Sequence, residues 1–245
     1  MYYEIHGSGA LPVVLIHGGG STIETSFGTL LPILSSHSKV IAVELQANGR
    51  TSDRDAPESF EQDADDVAAL LKYLSVDKAN FLGYSNGGTT TLQIAMRHPG
   101  IVQKIIVISA NYQREGLIPG FFEGMQNATV ADMPEILKTA YLKVAPNKDH
   151  LQTMFEKDVE RMRTFRDIAD DALKSITAST MLMVAQHDVI TVEHTVKMSR
   201  LIPGSKLVIL PGIHGAFFGA AESGIAKDSK LLAVTEMLVE EFFNE

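Results

Sequence analysis

The sequence predicts an α/β fold, a three-layer sandwich in which a mostly parallel sheet of about seven strands lies between two layers of helices. Short apolar runs of strand length alternate with segments whose apolar residues recur every three or four positions. Several of the short runs are apolar enough to be covered on both faces, as strands of a parallel sheet are. At 245 residues, the chain is long enough for one such domain with a sizeable core.

Seven segments are predicted as strands. Residues 2–6 alternate loosely between polar and apolar side chains, which suits an edge strand. The other six predicted strands cover residues 11–16, 40–45, 79–82, 104–109, 181–185 and 206–210. Because helical segments separate most of them, we expect parallel neighbours joined by right-handed crossovers.

Helical periodicity is clearest over residues 60–74, where Phe60, Ala64, Val67 and Leu71 follow one another at spacings of four and three. Further helices are predicted over residues 27–34 (interrupted near Pro32), 89–98, 191–201 and 231–242. Five acidic residues crowd the start of the helix over residues 60–74, where the helix dipole favours negative charge. They are Glu58, Glu61, Asp63, Asp65 and Asp66, and we interpret them as a solvated face.

The alternation of strands and helices stops between residues 111 and 176. This stretch contains no convincing strand and several helical patches instead. A helical insertion at the carboxyl end of one strand is typical of a lid over a site, so we expect a core of residues 1–110 and 177–245 and a lid of residues 111–176. Its composition hardly differs from that of the core, which argues against an autonomous domain.

Composition and charge exclude several classes of function. The formal net charge is −9 and no cluster of Lys and Arg is present, so neither nucleic acid nor an anionic membrane is an expected partner. No apolar run approaches the roughly 20 residues of a membrane span. The absence of cysteine excludes disulfides, thiolate catalysis and cysteine-ligated metals. Since no basic segment followed by an apolar one is visible at the N-terminus, as in a signal peptide, we expect a cytoplasmic enzyme. We expect it to act on a small molecule, and its oligomeric state is not predicted.

Residues 83–87 read Gly-Tyr-Ser-Asn-Gly, between a predicted strand and a predicted helix. Strand, sharp turn and helix together are the context that a nucleophile elbow requires. The glycines at 83 and 87 remove two Cβ atoms that would collide across so tight a turn. The motif predicts Ser85 as a nucleophile held at the carboxyl edge of the sheet.

A serine hydroxyl needs an adjacent base, usually a histidine that a carboxylate orients. His214 follows the last predicted strand and therefore emerges at the sheet edge that displays Ser85. Asp188 follows the strand over residues 181–185 and is the predicted carboxylate, although it could also cap the helix that starts near Thr191. The resulting chain order is serine, aspartate, histidine. If Asp188 lacks this role, an acid just after the strand over residues 104–109 is the alternative.

The remaining histidines receive other interpretations. We interpret His17 as a structural residue that fixes the glycine loop after the second predicted strand. Four others are predicted to face solvent or to cap helices: His37, His98, His150 and His194. His6 lies on the edge strand and His187 beside Asp188, and neither is assigned to the site.

A tetrahedral oxyanion requires two hydrogen-bond donors. The backbone N–H of Asn86, directly after the predicted nucleophile, is one. The other is expected from the loop His17-Gly18-Gly19-Gly20, with Gly19 as the single best candidate, because glycine lets a substrate oxygen approach the backbone closely. Phosphate-binding motifs of the P-loop and dinucleotide types are absent, as is metal-ligand spacing, so no cofactor and no metal are predicted.

With these motifs, the chain resembles the α/β-hydrolase superfamily, and within it the small lid-bearing serine hydrolases. That group includes carboxylesterases, C–C bond hydrolases and cofactor-free haloperoxidase-like enzymes. Two features depart from the group: residues 47–49 read Ala-Asn-Gly where relatives often carry Gly-His-Gly, and the chain starts one strand late, which implies seven strands. An aspartate nucleophile, as in dehalogenases and epoxide hydrolases, is excluded if Ser85 is the elbow residue.

The resemblance implies a serine hydrolase that cleaves a carboxylic ester or related acyl substrate through an acyl-enzyme on Ser85. The same triad could cleave a C–C bond beside a carbonyl, or a lactone. A slow-turnover ligand sensor and a scaffold with a vestigial pocket are further alternatives. Five side chains of the insertion are predicted to line an apolar acyl pocket or, equally, to pack among its helices: Phe121, Phe122, Met125, Met154 and Phe155.

Overall fold

A seven-stranded sheet forms the centre of the computed structural model, which describes residues 1–224 and 229–245. The strands are β1 (Tyr2–His6), β2 (Val13–Ile16), β3 (Val40–Glu44), β4 (Ala79–Tyr84), β5 (Val102–Ile108), β6 (Ser179–His187) and β7 (Lys206–Ile213). Their order across the sheet is β1-β3-β2-β4-β5-β6-β7. Only the edge pair of β1 and β3 is antiparallel, and the other neighbours are parallel. The predicted fold and strand number are confirmed.

Helices cover both faces of this sheet. They are α1 (Ile23–Phe27), α2 (Leu30–His37), α3 (Phe60–Tyr73), α4 (Asn86–Arg97), α5 (Phe121–Gln126), α6 (Glu135–Val144), α7 (Leu151–Arg163), α8 (Asp170–Lys174), α9 (Val192–Leu201) and α10 (Lys230–Asn244). In the part of the chain that the structure describes, none of these helices is both long and apolar enough to cross a membrane.

The two-residue repeat of strand β2 explains the three layers. Val14 and Ile16 point into one core cluster, which α3, α4, α8 and α9 complete. Val13 and Leu15 point to the opposite face, into a second cluster that α1, α2 and α10 complete. Because successive side chains of a strand alternate between faces, a strand that is apolar at every position must be covered on both sides.

The first predicted helix is wrong in its extent. Residues 27–34 do not form one interrupted helix, because α1 ends at Phe27 and α2 begins at Leu30. Pro32 lies in the first turn of α2 and does not break it. An N–H in that first turn would have no acceptor within the helix, so its loss costs little there.

Residues 111–176, called the insertion below, leave the sheet between β5 and β6 and carry α5, α6, α7 and α8. As the sequence predicts, no sheet strand forms there, and the insertion has a small apolar cluster of its own. That cluster contains Met133, Leu137, Tyr141 and Met154 and rests against Ala47 of the core. The insertion is therefore attached to the core by side-chain packing.

Two of the five acidic residues beside α3 contradict the prediction of a solvated face. Glu58 and Asp63 are buried under the guanidinium of Arg161, which belongs to α7 of the insertion. Burial raises the pKa of Glu58 to about 8 and that of Asp63 to about 6, against the opposing effect of Arg161. The prediction failed because a helical face that is polar in sequence can still be covered by a distant segment that supplies the opposite charge.

His194 is a second correction, because it neither faces solvent nor caps a helix. The residue is 4% exposed, and its Nε2 accepts a hydrogen bond from the N–H of Tyr112 at 3.1 Å. Its ring also stacks on the ring of Tyr112, with 4.5 Å between centroids. Burial lowers the pKa of His194 to about 4, so the imidazole is neutral and ties the start of the insertion to α9.

Replacing His194 by glutamine is expected to flatten the pH dependence of stability between pH 6.5 and about 4. The unfolded chain protonates this imidazole near pH 6.5 and the folded protein does not, so its contribution is complete above that pH and is lost as the pH falls toward 4. The wild type should lose about 3 kcal/mol more free energy of unfolding than His194→Gln over this interval. Urea titrations at the two ends of the interval measure the difference, and equal losses would contradict the expectation.

Candidate active site

Ser85 lies in a strained turn between β4 and α4, with φ 53° and ψ −121°. Its N–H donates to the carbonyl of Ile108 on the neighbouring strand at 2.8 Å, which anchors the turn to the sheet. A Cβ on Gly83 would collide with the backbone of Gly87, and a Cβ on Gly87 would collide with the carbonyl oxygen of Ile16. Non-glycine residues rarely adopt a positive φ, and such strain is concentrated at functional sites.

Three side chains that are distant in sequence meet at the carboxyl ends of parallel strands. His214 Nε2 lies 3.1 Å from Ser85 Oγ, and His214 Nδ1 lies 2.6 Å from Asp188 Oδ1. Ser85 follows β4, Asp188 follows β6 and His214 follows β7. With the Nδ1 proton donated to the carboxylate, Nε2 presents a lone pair to the serine hydroxyl, which is the arrangement of a base beside a nucleophile.

Asp188 is held by more partners than His214 alone. Its Oδ2 accepts hydrogen bonds from Ser109 Oγ at 2.6 Å and from the N–H of Ala185 at 3.2 Å, and its Oδ1 accepts one from the N–H of Ile190 at 3.1 Å. Burial by itself would raise the pKa of this carboxyl, but the hydrogen bonds and the nearby His214 hold it below its usual value. Asp188 therefore stays ionised.

Two details at this carboxylate could not be read from the sequence. Thr191, and not Asp188, caps α9, because its Oγ1 accepts a hydrogen bond from the N–H of His194 at 3.3 Å. Ser109 was assigned only as the end of a strand, although its side chain contacts Asp188 and its φ is 50°. A single serine at a strand end carries no signal that distinguishes this role.

The glycine loop lies beside Ser85 at the cavity, and two of its N–H groups already have acceptors. Gly18 N–H donates to Ser26 Oγ at 3.3 Å, and Gly20 N–H donates to the carboxylate of Asp158. Within residues 1–224 and 229–245, no acceptor is found for the N–H of Gly19 or for that of Asn86. Both residues line the same cavity, and their N–H groups remain the candidates for oxyanion donors.

His17 fixes this loop, as the sequence predicts. Its Nδ1 donates to the carbonyl of Gly18 at 2.7 Å, and its Nε2 accepts from the N–H of Leu45 at 3.0 Å. An imidazole that donates at one nitrogen and accepts at the other must be neutral. Burial lowers its pKa to about 4, which is consistent with that assignment.

A cavity of about 320 Å³ opens above Ser85 and His214, between the sheet edge and the insertion. Of the five predicted pocket residues, four line it: Phe121, Met125, Met154 and Phe155. Phe122 does not line it and packs instead beside Met162 and Phe165, which is the other placement that the sequence left open. Its ring lies under the guanidinium of Arg114, at 3.5 Å from the ring centroid, because neighbouring residues of a helix point in different directions.

Polar residues that the sequence did not single out also line the cavity. Asn111, directly beyond β5, is 3% exposed, and its Nδ2 has no hydrogen-bond partner among the described residues. Asp132 and Asp158 are the acidic lining residues, and no Lys or Arg occurs among the described residues that line the cavity. The described side chains also include no group of three or more His, Asp or Glu placed to hold a metal ion.

A family model for the alpha/beta hydrolase fold matches residues 12–153, which is more than half of the chain. The chain belongs to this family. It is accordingly a hydrolase, although family membership leaves the substrate open. The matched region contains the glycine loop and Ser85, whereas Asp188 and His214 lie beyond it.

Individual relatives agree with the family assignment. The human serine hydrolase BPHL is 27% identical over 221 residues, which is 86% of this chain and 75% of that protein. A 2-hydroxy-6-oxo-6-phenylhexa-2,4-dienoate hydrolase from Rhodococcus sp. strain RHA1 superposes with a TM-score of 0.77 at 16% identity, covering 96% of this chain and 91% of the other. A thermophilic esterase from Thermogutta terrifontis superposes with a TM-score of 0.71 at 22% identity, covering 98% of this chain and 93% of the other. At these identities, the two structures are similar to this chain in fold.

The segment Ala47-Asn48-Gly49, which departs from the family pattern, is packed beneath the insertion. Ala47 has φ 60° and joins the apolar cluster of the insertion. Asn48 is fully buried, and its Nδ2 donates to the carbonyl of Gln46 at 2.9 Å. Through Ala47, this segment therefore contributes to the packing of the insertion on the core.

Proposed function

We propose that the protein is a serine hydrolase that cleaves a carboxylic ester or a related acyl substrate through an acyl-enzyme on Ser85. One observation carries the proposal: Ser85, His214 and Asp188 form a continuous hydrogen-bonded chain at the floor of an apolar cavity. In the α/β-hydrolase fold, this order of serine, aspartate and histidine is that of a catalytic triad.

Each group has a defined task in the proposed reaction. Ser85 Oγ attacks the substrate carbonyl while His214 Nε2 takes the hydroxyl proton and later delivers it to the leaving alcohol. Asp188 orients the imidazole and stabilises the imidazolium, for which its ionised state is required. The N–H groups of Asn86 and Gly19 receive the negative oxygen of the tetrahedral intermediate. Water, activated by His214, then cleaves the acyl-enzyme.

The lining of the cavity favours an uncharged acyl group. Phe121, Met125, Met154 and Phe155 supply apolar surface, and methionine adapts to acyl groups of varied shape. The described lining residues include two carboxylates and no Lys or Arg. A dienoate such as that in the name of the Rhodococcus relative carries a carboxylate, which this lining would leave unpaired. Ester cleavage is therefore preferred over C–C bond cleavage of an anionic substrate.

In this proposal the insertion acts as a lid. Residues from α5, α6 and α7 line one side of the cavity and residues of the core line the other. A cover of this kind excludes water and strengthens the electrostatic interactions around the developing oxyanion.

A fluorophosphonate probe tests the nucleophile. We expect stoichiometric labelling of the wild type and none of Ser85→Ala, because only an activated serine reacts with this reagent. Intact-protein mass spectrometry measures the labelling, and circular dichroism verifies that both proteins are folded. Ser36→Ala, at an exposed serine, is the matched control and should label like the wild type. Equal labelling of Ser85→Ala would exclude the proposed nucleophile.

Asp188→Asn should lower kcat by about 10³–10⁴-fold without unfolding the protein, since the amide favours the wrong imidazole tautomer. Hydrolysis of p-nitrophenyl butyrate provides the measurement. Asp77→Asn, at an exposed acid, is the control and should keep the wild-type rate. Near-wild-type activity in Asp188→Asn would require another carboxylate to orient His214.

The charge of the lining predicts discrimination between two esters of matched length. p-Nitrophenyl butyrate should be hydrolysed with a kcat/KM at least about tenfold above that of p-nitrophenyl hemisuccinate, whose terminal carboxylate would be desolvated without a cation. Steady-state kinetics with both esters at one ionic strength make the comparison. Equal or reversed preference would show that the acyl group does not enter this cavity as proposed.

A further inference from the structure

We propose that Asp158 is a positioning residue that holds the oxyanion loop, defined as residues 17–20, in the shape that catalysis requires. This inference rests on the function proposed above. Asp158 belongs to α7 of the insertion, 138 residues beyond Gly20, and its Oδ2 accepts a hydrogen bond from the Gly20 N–H. A residue of the predicted lid thus contacts the backbone directly beside the proposed oxyanion donor Gly19.

The N–H of Gly19 lies in the peptide plane that joins Gly18 and Gly19, and glycine restricts the rotation of that plane less than any other residue. The loop keeps one shape only if this plane and the next one, between Gly19 and Gly20, are both held. The plane before Gly19 is fixed through the Gly18 carbonyl oxygen, which accepts a hydrogen bond from His17 Nδ1 at 2.7 Å. The plane after Gly19 is held at its Gly20 N–H, which donates to the carboxylate of Asp158, and at its Gly19 carbonyl oxygen, which accepts a longer hydrogen bond from Ser21 Oγ at 3.4 Å. The core holds the first plane, and the insertion supplies the carboxylate that holds the second.

Asp158 is held in turn by a buried guanidinium. Arg161, one turn further along α7, donates to Asp158 Oδ1 and also donates to Asp63 Oδ2 on α3 at 2.8 Å. The guanidinium lies over the ring of Phe60 at 5.0 Å, and Arg161 is 3% exposed. Hydrogen bonds between ionised groups are stronger than neutral ones, and in a buried network they restrict the side chains to one geometry.

Both carboxylate oxygens of Asp158 are therefore occupied, one by the backbone of Gly20 and the other by Arg161. Although Asp158 lines the cavity, its charge is already compensated before substrate enters. Asp158 acts on the reaction through the oxyanion loop. Removing the Asp158 carboxylate should therefore lower kcat, which depends on stabilising the oxyanion. It should change the binding of the neutral ester much less.

The test compares Asp158→Asn and Asp158→Ala with the wild type on p-nitrophenyl butyrate. An amide cannot accept from both neighbours, since its NH2 group must face one of the two donors. One oxyanion donor is worth on the order of 10²–10³ in rate, so we expect kcat to fall about 10–100-fold while KM changes less than about threefold. Asp158→Asn preserves the side-chain volume and keeps the test valid where Asp158→Ala unfolds.

A second readout separates positioning from general damage. Phenylboronic acid adds to an activated serine as a tetrahedral anion and so resembles the intermediate. Its inhibition constant should rise by the same factor by which kcat falls in the Asp158 variants. A merely structural role would not link the two quantities.

Lys157→Met is the matched control. Lys157 precedes Asp158 on α7 and joins the same helix to the core through Asp53 Oδ1 at 2.5 Å and the carbonyl of Ala56 at 2.8 Å. It does not contact the oxyanion loop, and a partly exposed ion pair contributes little, so kcat should stay within about twofold of the wild type. An equal loss of kcat in Lys157→Met and Asp158→Asn would overturn the proposal.

Two further outcomes are decisive. Asp158 variants that raise KM and leave kcat unchanged would assign Asp158 to substrate binding and overturn the positioning role. Turnover that persists in Ser85→Ala would refute the proposed function, whatever the Asp158 variants do. With Ser85→Ala inactive and Asp158→Asn like the wild type, only the inference about Asp158 fails.

Discussion

The site depends on one close backbone contact, between the first turn of α4 and the end of β2. Gly87 lies so close to the carbonyl oxygens of Ile16 and His17 that a Cβ at this position would collide with both. The glycine loop begins where β2 ends, so the contact that permits the turn at Ser85 also brings Gly19 beside Asn86. This contact thus places the nucleophile close to the two proposed oxyanion donors, and a strained backbone such as that of Ser85 persists where the surrounding structure holds it on several sides.

Buried charge connects this constraint to the rest of the molecule. On one side, Asp188 is stabilised by hydrogen bonds at the ends of β5 and β6, so an ionised carboxylate can lie in the interior. On the other side, Arg161 joins the insertion to α3 and holds Asp158 against the glycine loop. An unpaired buried charge is costly, so these networks specify one arrangement of core and insertion. In the proposed function, the insertion is therefore part of the site geometry as well as its cover.

Much of the fold could be predicted because its cause is local. Strands such as β2 are apolar at every position, and α3 repeats apolar residues at helical spacing, so each segment carries its own signal. The carboxyl ends of parallel strands share one edge, which is why residues after β4, β6 and β7 could be expected to meet. Glu58, Asp63 and His194 were misjudged because their burial is caused by segments far away in sequence. The sequence left open whether Phe122 lines the cavity or packs within the insertion, because side-chain direction within a short helix depends on packing.

By itself, the sequence determined the order of strands and helices, the elbow at Ser85, and the candidates Asp188 and His214, because glycine spacing and hydrophobic period act over a few residues. Only the tertiary structure decided which polar groups are buried away from water and which hydrogen-bond partners they have there. It placed Ser109 against Asp188 and Asp158 against the N–H of Gly20, and it left Asn111 Nδ2 without a hydrogen-bond partner among the described residues. Burial and hydrogen bonding between distant segments arise only when the chain is packed, and no pattern of neighbouring residues encodes them.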